Sequence, residues 1–337
     1  MSAFNDAAFL PESVGSVLAQ TFADFEFLII DDGSTDATQE YLAGLADPRV
    51  RVVRNESNLG LTRSLRRGVE LARGKYLARL DADDAALPNR LERQVNFLEQ
   101  RREVAILGGG CVVVDESGKK TSVQRQPEND LAIRWTRLLT NPFTHSTVML
   151  RRQVLVEHQL NYDAVFDTTQ DYDLWTRLLR HGKGANLSTP LIRYRARSGV
   201  TQQKRHRQLE ASRLIATRTI AEELPGYILT PQTMRSLLDS SYLDLRSHDD
   251  RDPNIAHLTK LRWDLYSAFT AKYATHPDLT KLRQWHSVQL VKYLWSAGLP
   301  PGWGKALAMV ISKEPLTPGW VGRDYLREKA RKNEAGE

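Results

Sequence analysis

Three acidic clusters have the residue types and spacing for chemistry. Asp31-Asp32-Gly33-Ser34-Thr35-Asp36 closes one apolar run and Asp81-Ala82-Asp83-Asp84 closes another. Carboxylates gathered at one rim repel one another unless a cation or donor group lies among them, and Asp-x-Asp oxygens suit Mg2+ or Mn2+. The third cluster, Gln170-Asp171-Tyr172-Asp173-Leu174-Trp175, opens a helical pattern with Tyr172, Trp175 and Leu179 on its apolar side. Residues two apart on a helix point to widely different faces, so Asp171 and Asp173 cannot both address the same atom and one is structural. Each cluster also has a purely structural reading. Ser34 or Asp36 can cap a helix, Asp84 can cap the helix that opens near Pro88, and Asp171 can serve as an acidic N-cap or dipole partner.

Such groups act together only if a framework brings them to one rim. The first half alternates short apolar runs with helical patterns, the signature of a mostly parallel sheet with helices on both faces. Leu10, Val14, Val17 and Leu18 recur at helical spacing to about Gln20, behind Pro11, whose missing N–H suits a first turn. Phe25 to Asp31 reads as a buried strand, Thr38, Tyr41, Leu42 and Leu45 as a helix, and Val50 to Val53 as the next strand. Leu61, Leu65, Val69 and Ala72 form a helical face that Gly74 ends, Tyr76 to Leu80 runs as a strand into Asp81, and Pro88 opens a helix with Leu91, Val95 and Leu98 inward. Ligands of open α/β sheets bind beyond the carboxyl ends of the strands, so both acidic loops are expected at one crevice.

Composition narrows the class. The 337 residues are 41% hydrophobic and 26% charged, which suits a folded chain, and the length favours a catalytic domain with an appendage. A net charge of +6 fits nucleic acid, an anionic membrane or phosphorylated small molecules. No zinc-finger spacing or RNA-recognition signature accompanies the basic residues, so nucleic acid is set aside. Cys111, inside the apolar run Val104 to Val114, is expected to be buried and inert. No uncharged stretch approaches the roughly 20 apolar residues of a membrane-spanning helix, and no signal segment opens the chain, which makes the cytoplasm the expected compartment. A dinucleotide-dependent oxidoreductase shares the alternation but fails on motif, because no G-x-G-x-x-G joins the first strand to its helix.

Order then adds what single motifs lack. Ser2-Ala3-Phe4-Asn5, DDGSTD, Asn58-Leu59-Gly60 and LDADD before a Pro-initiated helix follow one another along the chain. Over residues 1 to about 200 this resembles a family-2 glycosyltransferase of the GT-A fold. The resemblance implies a catalytic domain over residues 1–204; the remainder, 205–337, reads as a helical region from its own pattern. It implies that Ser2, Phe4 and Asn5 lie near the nucleotide, that Asp32 reads the base, and that Gly60 and Arg63 border it. Asp81, Ala82 and Asp83 would hold ribose and metal-diphosphate, with Asp81 and Asp83 toward Mg2+ or Mn2+ and Asp171 as general base. His145, in Asn141-Pro142-Phe143-Thr144-His145-Ser146-Thr147, falls in the segment that approaches sugar or acceptor. The implied donor is a nucleoside-diphosphate sugar, with a UDP-sugar favoured, and the implied acceptor is a glycan or lipid-linked hydroxyl. The implied reaction is a hexosyl or N-acetylhexosaminyl transfer with inversion, in cell-surface glycan synthesis.

Several residues depart from that family. Gln170 stands where a Glu usually precedes the base, Arg66 where Asn is frequent, and Arg197 where His is common. A guanidinium can meet a diphosphate directly but cannot ligate a metal, so Arg197 is assigned to the donor. These changes motivate a second reading, a nucleotide-sugar-binding protein with impaired turnover. Met1 falls where the first strand would already be ending, so the neighbours of that strand are expected to lose ladder partners; an upstream start or a poorly stable chain would follow. Beyond Arg205 the pattern turns to long helices interrupted at Pro225, Pro231, Pro253, Pro277 and Pro300-Pro301. Trp263, Trp285, Trp295, Trp303 and Trp320 serve either core packing or, with the interleaved Lys and Arg, peripheral attachment to an anionic membrane on its cytoplasmic face.

Overall fold

The computed structural model describes residues 1–197, 200–242 and 255–296. Trp303, Trp320, the prolines at 253, 300 and 301 and the tail from Arg323 therefore lie outside the described residues, as does the side chain of Trp295. The chain divides into two compact units, Met1–Arg137 with Asn141–Ile215, and Leu138–Thr140 with Ala216–Glu337.

In the first unit the elements follow as β1 (Ser2–Ala3), α1 (Leu10–Leu18), β2 (Phe27–Asp31), α2 (Thr38–Ala43), β3 (Val50–Arg54), α3 (Leu61–Leu71), β4 (Tyr76–Ala78), β5 (Ala85–Ala86) and α4 (Arg90–Gln100). They continue as β6 (Val104–Val114), β7 (Lys120–Gln124), α5 (Asp130–Thr136), β8 (Met149–Arg151), α6 (Arg152–Glu157), α7 (Gln170–Leu178), β9 (Lys183–Arg195) and α8 (Val200–Glu223), which carries the chain into the second unit. Pro11 occupies the first turn of α1, as its missing N–H favours. Gly60, at φ 87°, precedes α3 in a conformation that side-chain-bearing residues rarely adopt.

The parallel arrangement holds for one sheet only. Strands β1, β2 and β3 are parallel neighbours in that order, buried by Leu10, Val14 and Leu42 from α1 and α2 against Ala3, Phe27 and Ile29. The second sheet, ordered β4-β8-β6-β9-β5, is mixed: β6 and β9 run parallel, whereas β4, β5, β7 and β8 join antiparallel. Periodicity reports burial and not strand direction, so the alternation of the first half could not show that β4 joins an antiparallel neighbour. Its core gathers Ile106, Phe143, Val148, Leu174 and Trp175, each of whose burial is worth roughly 1.5–3 kcal/mol. A glycine run lets β6 carry neighbours at close range: a Cβ on Gly110 would stand 2.7 Å from the Gln124 carbonyl of β7. Strand β1 pairs with β2 at Ile30 and Asp31.

The second unit contains the end of α8 and the helices α9 (Pro231–Tyr242), α10 (Ile255–Lys272) and α11 (Leu279–Ser296). Ile220, Leu237, Leu265, Phe269 and Leu282 are buried there. Trp263 is buried against Tyr266 and His286, a core role, and Trp285 is half-buried. Glu223, buried near the end of α8, accepts hydrogen bonds from Lys272 Nζ and Tyr273 Oη, each at 2.6 Å.

Candidate active site

The loops after β1 and β2 are laced together by backbone amides. Asn5, at φ 55°, uses Oδ1 to accept from Thr35 N at 2.8 Å and Asp36 N at 3.3 Å, while its own N–H donates to Ser34 Oγ at 3.1 Å. Asn is among the residues that tolerate this left-handed conformation. Ser34 thus holds Asn5, and Asp36 accepts from Thr38 N at the start of α2. Ser2 is buried in β1, whereas Phe4 is exposed. Asp32 is buried at the end of β2, where Oδ1 accepts from Leu59 N at 2.9 Å and Asn55 Nδ2 at 2.6 Å, and Oδ2 from Gly60 N at 2.9 Å. Its carboxylate therefore fixes the N-x-G loop, with Gly60 at its end and exposed Arg63 on the following turn.

Asp81 sits in a tighter network. Ser146 Oγ donates to Asp81 Oδ2 at 2.6 Å, Asp81 N donates back to Ser146 Oγ at 3.0 Å, and the Arg79 guanidinium, 7% exposed, forms an ion pair with Asp81. Burial alone would raise the Asp81 pKa, but Arg79, with His145 and Ser146, holds it well below the usual carboxylate range. His145 contacts Tyr162 Oη through Nε2 at 2.9 Å, and its ring stands edge-on to Trp175. Burial, then the charge of Arg79, pushes His145 well below its ordinary value, so the imidazole is neutral near pH 7. Ala82 packs into the core beneath this loop.

Asp83 faces a different way. Arg197 Nη1 lies 3.4 Å from Asp83 Oδ2 and 3.4 Å from Asp6 Oδ1, and its guanidinium covers the Phe9 ring at 4.8 Å. Burial raises both carboxyls; Asp81 pushes Asp83 further, and Arg197 opposes the rise at each. Asp84 turns inward and accepts from Arg195 N of β9 at 2.8 Å, which joins the acidic loop to that strand; it does not cap α4, which starts at Arg90 without a side-chain cap. Burial, then Asp81, pushes Asp84 up to about 8.

Asp171 opens α7 beside Gln170, after Thr169 at φ 58°. Its Oδ1 accepts from Tyr172 N at 2.8 Å and its Oδ2 from Asn141 Nδ2 at 2.7 Å. Burial raises its pKa, against the pull of Tyr172 N, Arg79 and Asn141. Asp173 points elsewhere and is held by Arg177 at 2.6 Å, the divergence expected of positions two apart on a helix. The charge of Arg79 acts on Asp81, His145, Tyr162 and Asp171, so these groups from separate segments share one electrostatic neighbourhood.

Sequence reasoning passed over Asp6, Arg79, Asn141, Ser146 and Tyr162 as site residues. Arg79 had a signal: a lone charge inside the apolar run Tyr76 to Leu80 needs a partner or a function. Asp6, 191 positions from Arg197, had none that local pattern could carry.

Residues 1–158 match the family described as Glycosyl transferase family 2, a range that holds Asp32, Asp81, Asp83 and His145 and ends before Asp171. An uncharacterized glycosyltransferase of Haemophilus influenzae is 31% identical over 231 residues, covering 65% of this chain and 71% of that protein. The chain belongs to glycosyl transferase family 2. The amylovoran biosynthesis glycosyltransferase AmsE of Erwinia amylovora is 31% identical to this transferase, over 58% of the chain and 74% of AmsE. Among solved structures, S. aureus TarS 1-349 in complex with UDP-GlcNAc aligns with a TM-score of 0.55 at 17% identity, covering 88% of this chain and 86% of TarS. That likeness establishes the GT-A fold. Cys111 is buried in β6 with its thiol pushed up to about 11 by burial, inert as expected.

Proposed function

We propose that this family-2 enzyme transfers a hexosyl or N-acetylhexosaminyl group, with inversion, from a nucleoside-diphosphate sugar to the hydroxyl of a glycan or lipid-linked acceptor in surface-polysaccharide synthesis. A UDP-sugar is the favoured donor. The observation that carries the reading is the separation of two kinds of carboxylate around one site: Asp171, hydrogen-bonded by Asn141 and raised by burial, and Asp83, at the Arg197 rim with Asp6. The names of AmsE and of the TarS complex support the acceptor class and the donor class respectively.

Asp171 takes the proton of the acceptor hydroxyl as its oxygen attacks the anomeric carbon, and a carboxylate whose pKa lies above the ordinary range is the better base near neutrality. The bond to the diphosphate oxygen breaks on the opposite side. Asp32, Asn5 and Gly60 shape the nucleotide rim together with Ser2, Phe4 and Arg63, His145 stands toward the sugar, and Arg197 meets the diphosphate. Among the described residues no three His, Cys, Asp or Glu side chains gather as a closed metal site. Asp83 with Asp6 would hold a Mg2+ or Mn2+ ion, whereas Asp81 is engaged by Arg79 and Ser146. Such an ion would supply charge neutralisation to the departing diphosphate.

Asp171→Asn tests this. Transfer is expected to fall by roughly 10²–10⁴, the usual worth of a general base, while donor affinity in a thermal-shift titration stays unchanged. Retained turnover removes Asp171 from the mechanism, and absent donor hydrolysis with Mn2+ in the wild type would favour the binding-protein reading. No helix among the described residues is long and apolar enough to cross a membrane. Peripheral association at the cytoplasmic face is part of the proposal, supported by the net charge of +6, since each basic residue near an anionic surface is worth about 1 kcal/mol. Co-sedimentation with anionic vesicles that high salt abolishes is the expected result; equal behaviour with neutral vesicles refutes it.

A further inference from the structure

At the acidic rim Asp81 has a cation to itself, Arg79, whereas Asp6 and Asp83 share one. Arg197 Nη1 stands 3.4 Å from Asp6 Oδ1 and 3.4 Å from Asp83 Oδ2, so a single guanidinium nitrogen joins the loop after β1 to the loop after β4. Other bonds fix the two acidic residues in place. Asp6 Oδ2 accepts from Phe4 N at 3.1 Å, Asp6 N donates to Thr38 Oγ1 at 3.0 Å, and the Asp83 carbonyl accepts from Arg195 Nε at 3.2 Å. Asp6 Oδ1 and Asp83 Oδ2 are left facing Arg197.

The Arg197 side chain is placed to exchange partners. Strand β9 ends at Arg195, Ala196 N still donates to Val114 O at 2.9 Å, and Arg197 follows beyond that last bond. Its side chain is 37% exposed, against 14% for Asp6 and 21% for Asp83. Both of its carboxylate contacts, at 3.4 Å, are longer than the roughly 2.7–2.9 Å of a tight charge-assisted hydrogen bond. Arg195, over the same Phe9 ring, is the contrast: its guanidinium, 7% exposed, is committed to Glu12 and to the carbonyls of Asp83 and Glu116. One arginine holds the backbone of the acidic loop and the other lends that loop its charge.

Charge decides what can join this group. Two carboxylates against one guanidinium leave a single negative charge. A Mg2+ or Mn2+ held by either oxygen at the usual distance of about 2.1 Å would lie within about 5.5 Å of Arg197 Nη1. At that range the repulsion between a divalent ion and a guanidinium weakens binding on the order of tenfold even at the dielectric constant of water. A nucleoside diphosphate reverses the balance, because its oxygens accept from a guanidinium and ligate an ion at the same time. We propose that Arg197 is an exchangeable counter-ion of Asp6 and Asp83, which holds off a divalent ion that arrives alone and turns onto the diphosphate when ion and donor arrive together. The inference rests on the metal-dependent transferase reading and adds a loading rule to it: ion and donor enter as a pair.

Mn2+ binding to the full chain, followed by the electron paramagnetic resonance signal of the free ion, tests this without any turnover. It is measured alone and with UDP or GDP, for the wild type, Arg197→Gln and Arg197→Lys. In the wild type a nucleotide is expected to tighten Mn2+ by about 10-fold or more. Arg197→Gln removes the charge, so Mn2+ alone should bind about 10-fold more tightly than to the wild type, and the effect of the nucleotide should shrink by about the same factor. Arg197→Lys keeps the charge and should stay within about threefold of the wild type. A Gln variant that binds Mn2+ alone no more tightly than the wild type overturns the proposal and leaves Arg197 as a structural ion pair. A thermal midpoint lowered by more than about 10 °C in that variant does the same, since it assigns Arg197 to the fold. Failure of the transferase reading looks different: the wild type would then bind no Mn2+ with either nucleotide, and the loading rule would fall with it.

Discussion

Asn141→Ala is expected to move the acid limb of activity without changing the plateau above it. Asn141 Nδ2 donates to Asp171 Oδ2 at 2.7 Å and so favours the ionised carboxylate, whereas burial favours the protonated form. Hydrogen bonds to charged groups contribute about 1.5–3 kcal/mol, and 1.36 kcal/mol corresponds to tenfold, so at a pH on the limb the ionised fraction should fall on the order of 10- to 100-fold. The sign follows from the role: a general base works deprotonated, its folded-state pKa already lies above the ordinary value, and losing a donor raises it further, so activity is lost at higher pH than in the wild type. The assay is kcat/KM for sugar transfer against pH, with saturating metal and a thermal midpoint for each variant, because Asn141 Oδ1 also accepts from Phe143 N and the loop loses that bond. Superimposable profiles would refute the electrostatic argument. A uniform loss at every pH would leave Asn141 as a residue that positions the loop and does not tune the base.

Asp81→Asn leaves the buried Arg79 without its counter-charge and should cost about 3 kcal/mol by denaturant unfolding, the low end for a broken buried pair because Asp81 keeps 29% exposure. Since the Asp81 pKa is depressed, its contribution is present above the ordinary carboxylate pKa and is lost as pH falls through the folded value; variant and wild type should therefore converge in acid, and a constant gap would contradict the pairing. Gly110→Ala drives a Cβ toward the Gln124 carbonyl and should cost roughly 1–3 kcal/mol, with exchange at β7 amides rising first; an unchanged urea midpoint would show that β7 yields freely. Glu223→Ala removes the acceptor shared by Lys272 and Tyr273 and should cost about 2 kcal/mol, and a double-mutant cycle with Lys272→Ala should give a coupling of roughly 0.5–3 kcal/mol; a coupling of zero would contradict the pairing.

Local pattern carried much of this protein. Pro11 and the short apolar runs read directly as a helix start and strands, because each depends on the conformational preference of a few consecutive residues. The ordered motifs from Asn5 to Asp83 were legible as a set through their resemblance to the family, and the structure shows their Asp and Asn residues also serving nearby amides. Asp36 at Thr38 N is one such case, and Asp32 with the Gly60 loop is another. Strand direction in the second sheet was not legible, because burial periodicity is the same for parallel and antiparallel neighbours.

The sequence by itself determined the element order through the helix that follows Pro88, the α/β class, the two acidic loops and the divergence of Asp171 from Asp173. Only the tertiary structure decided which carboxylates meet which cations. Arg79 claims Asp81, while Arg197 spans Asp6 and Asp83 across more than a hundred residues of chain. Electrostatic partners are chosen by distance in space and by burial, and neither is a property of a residue's neighbours in sequence.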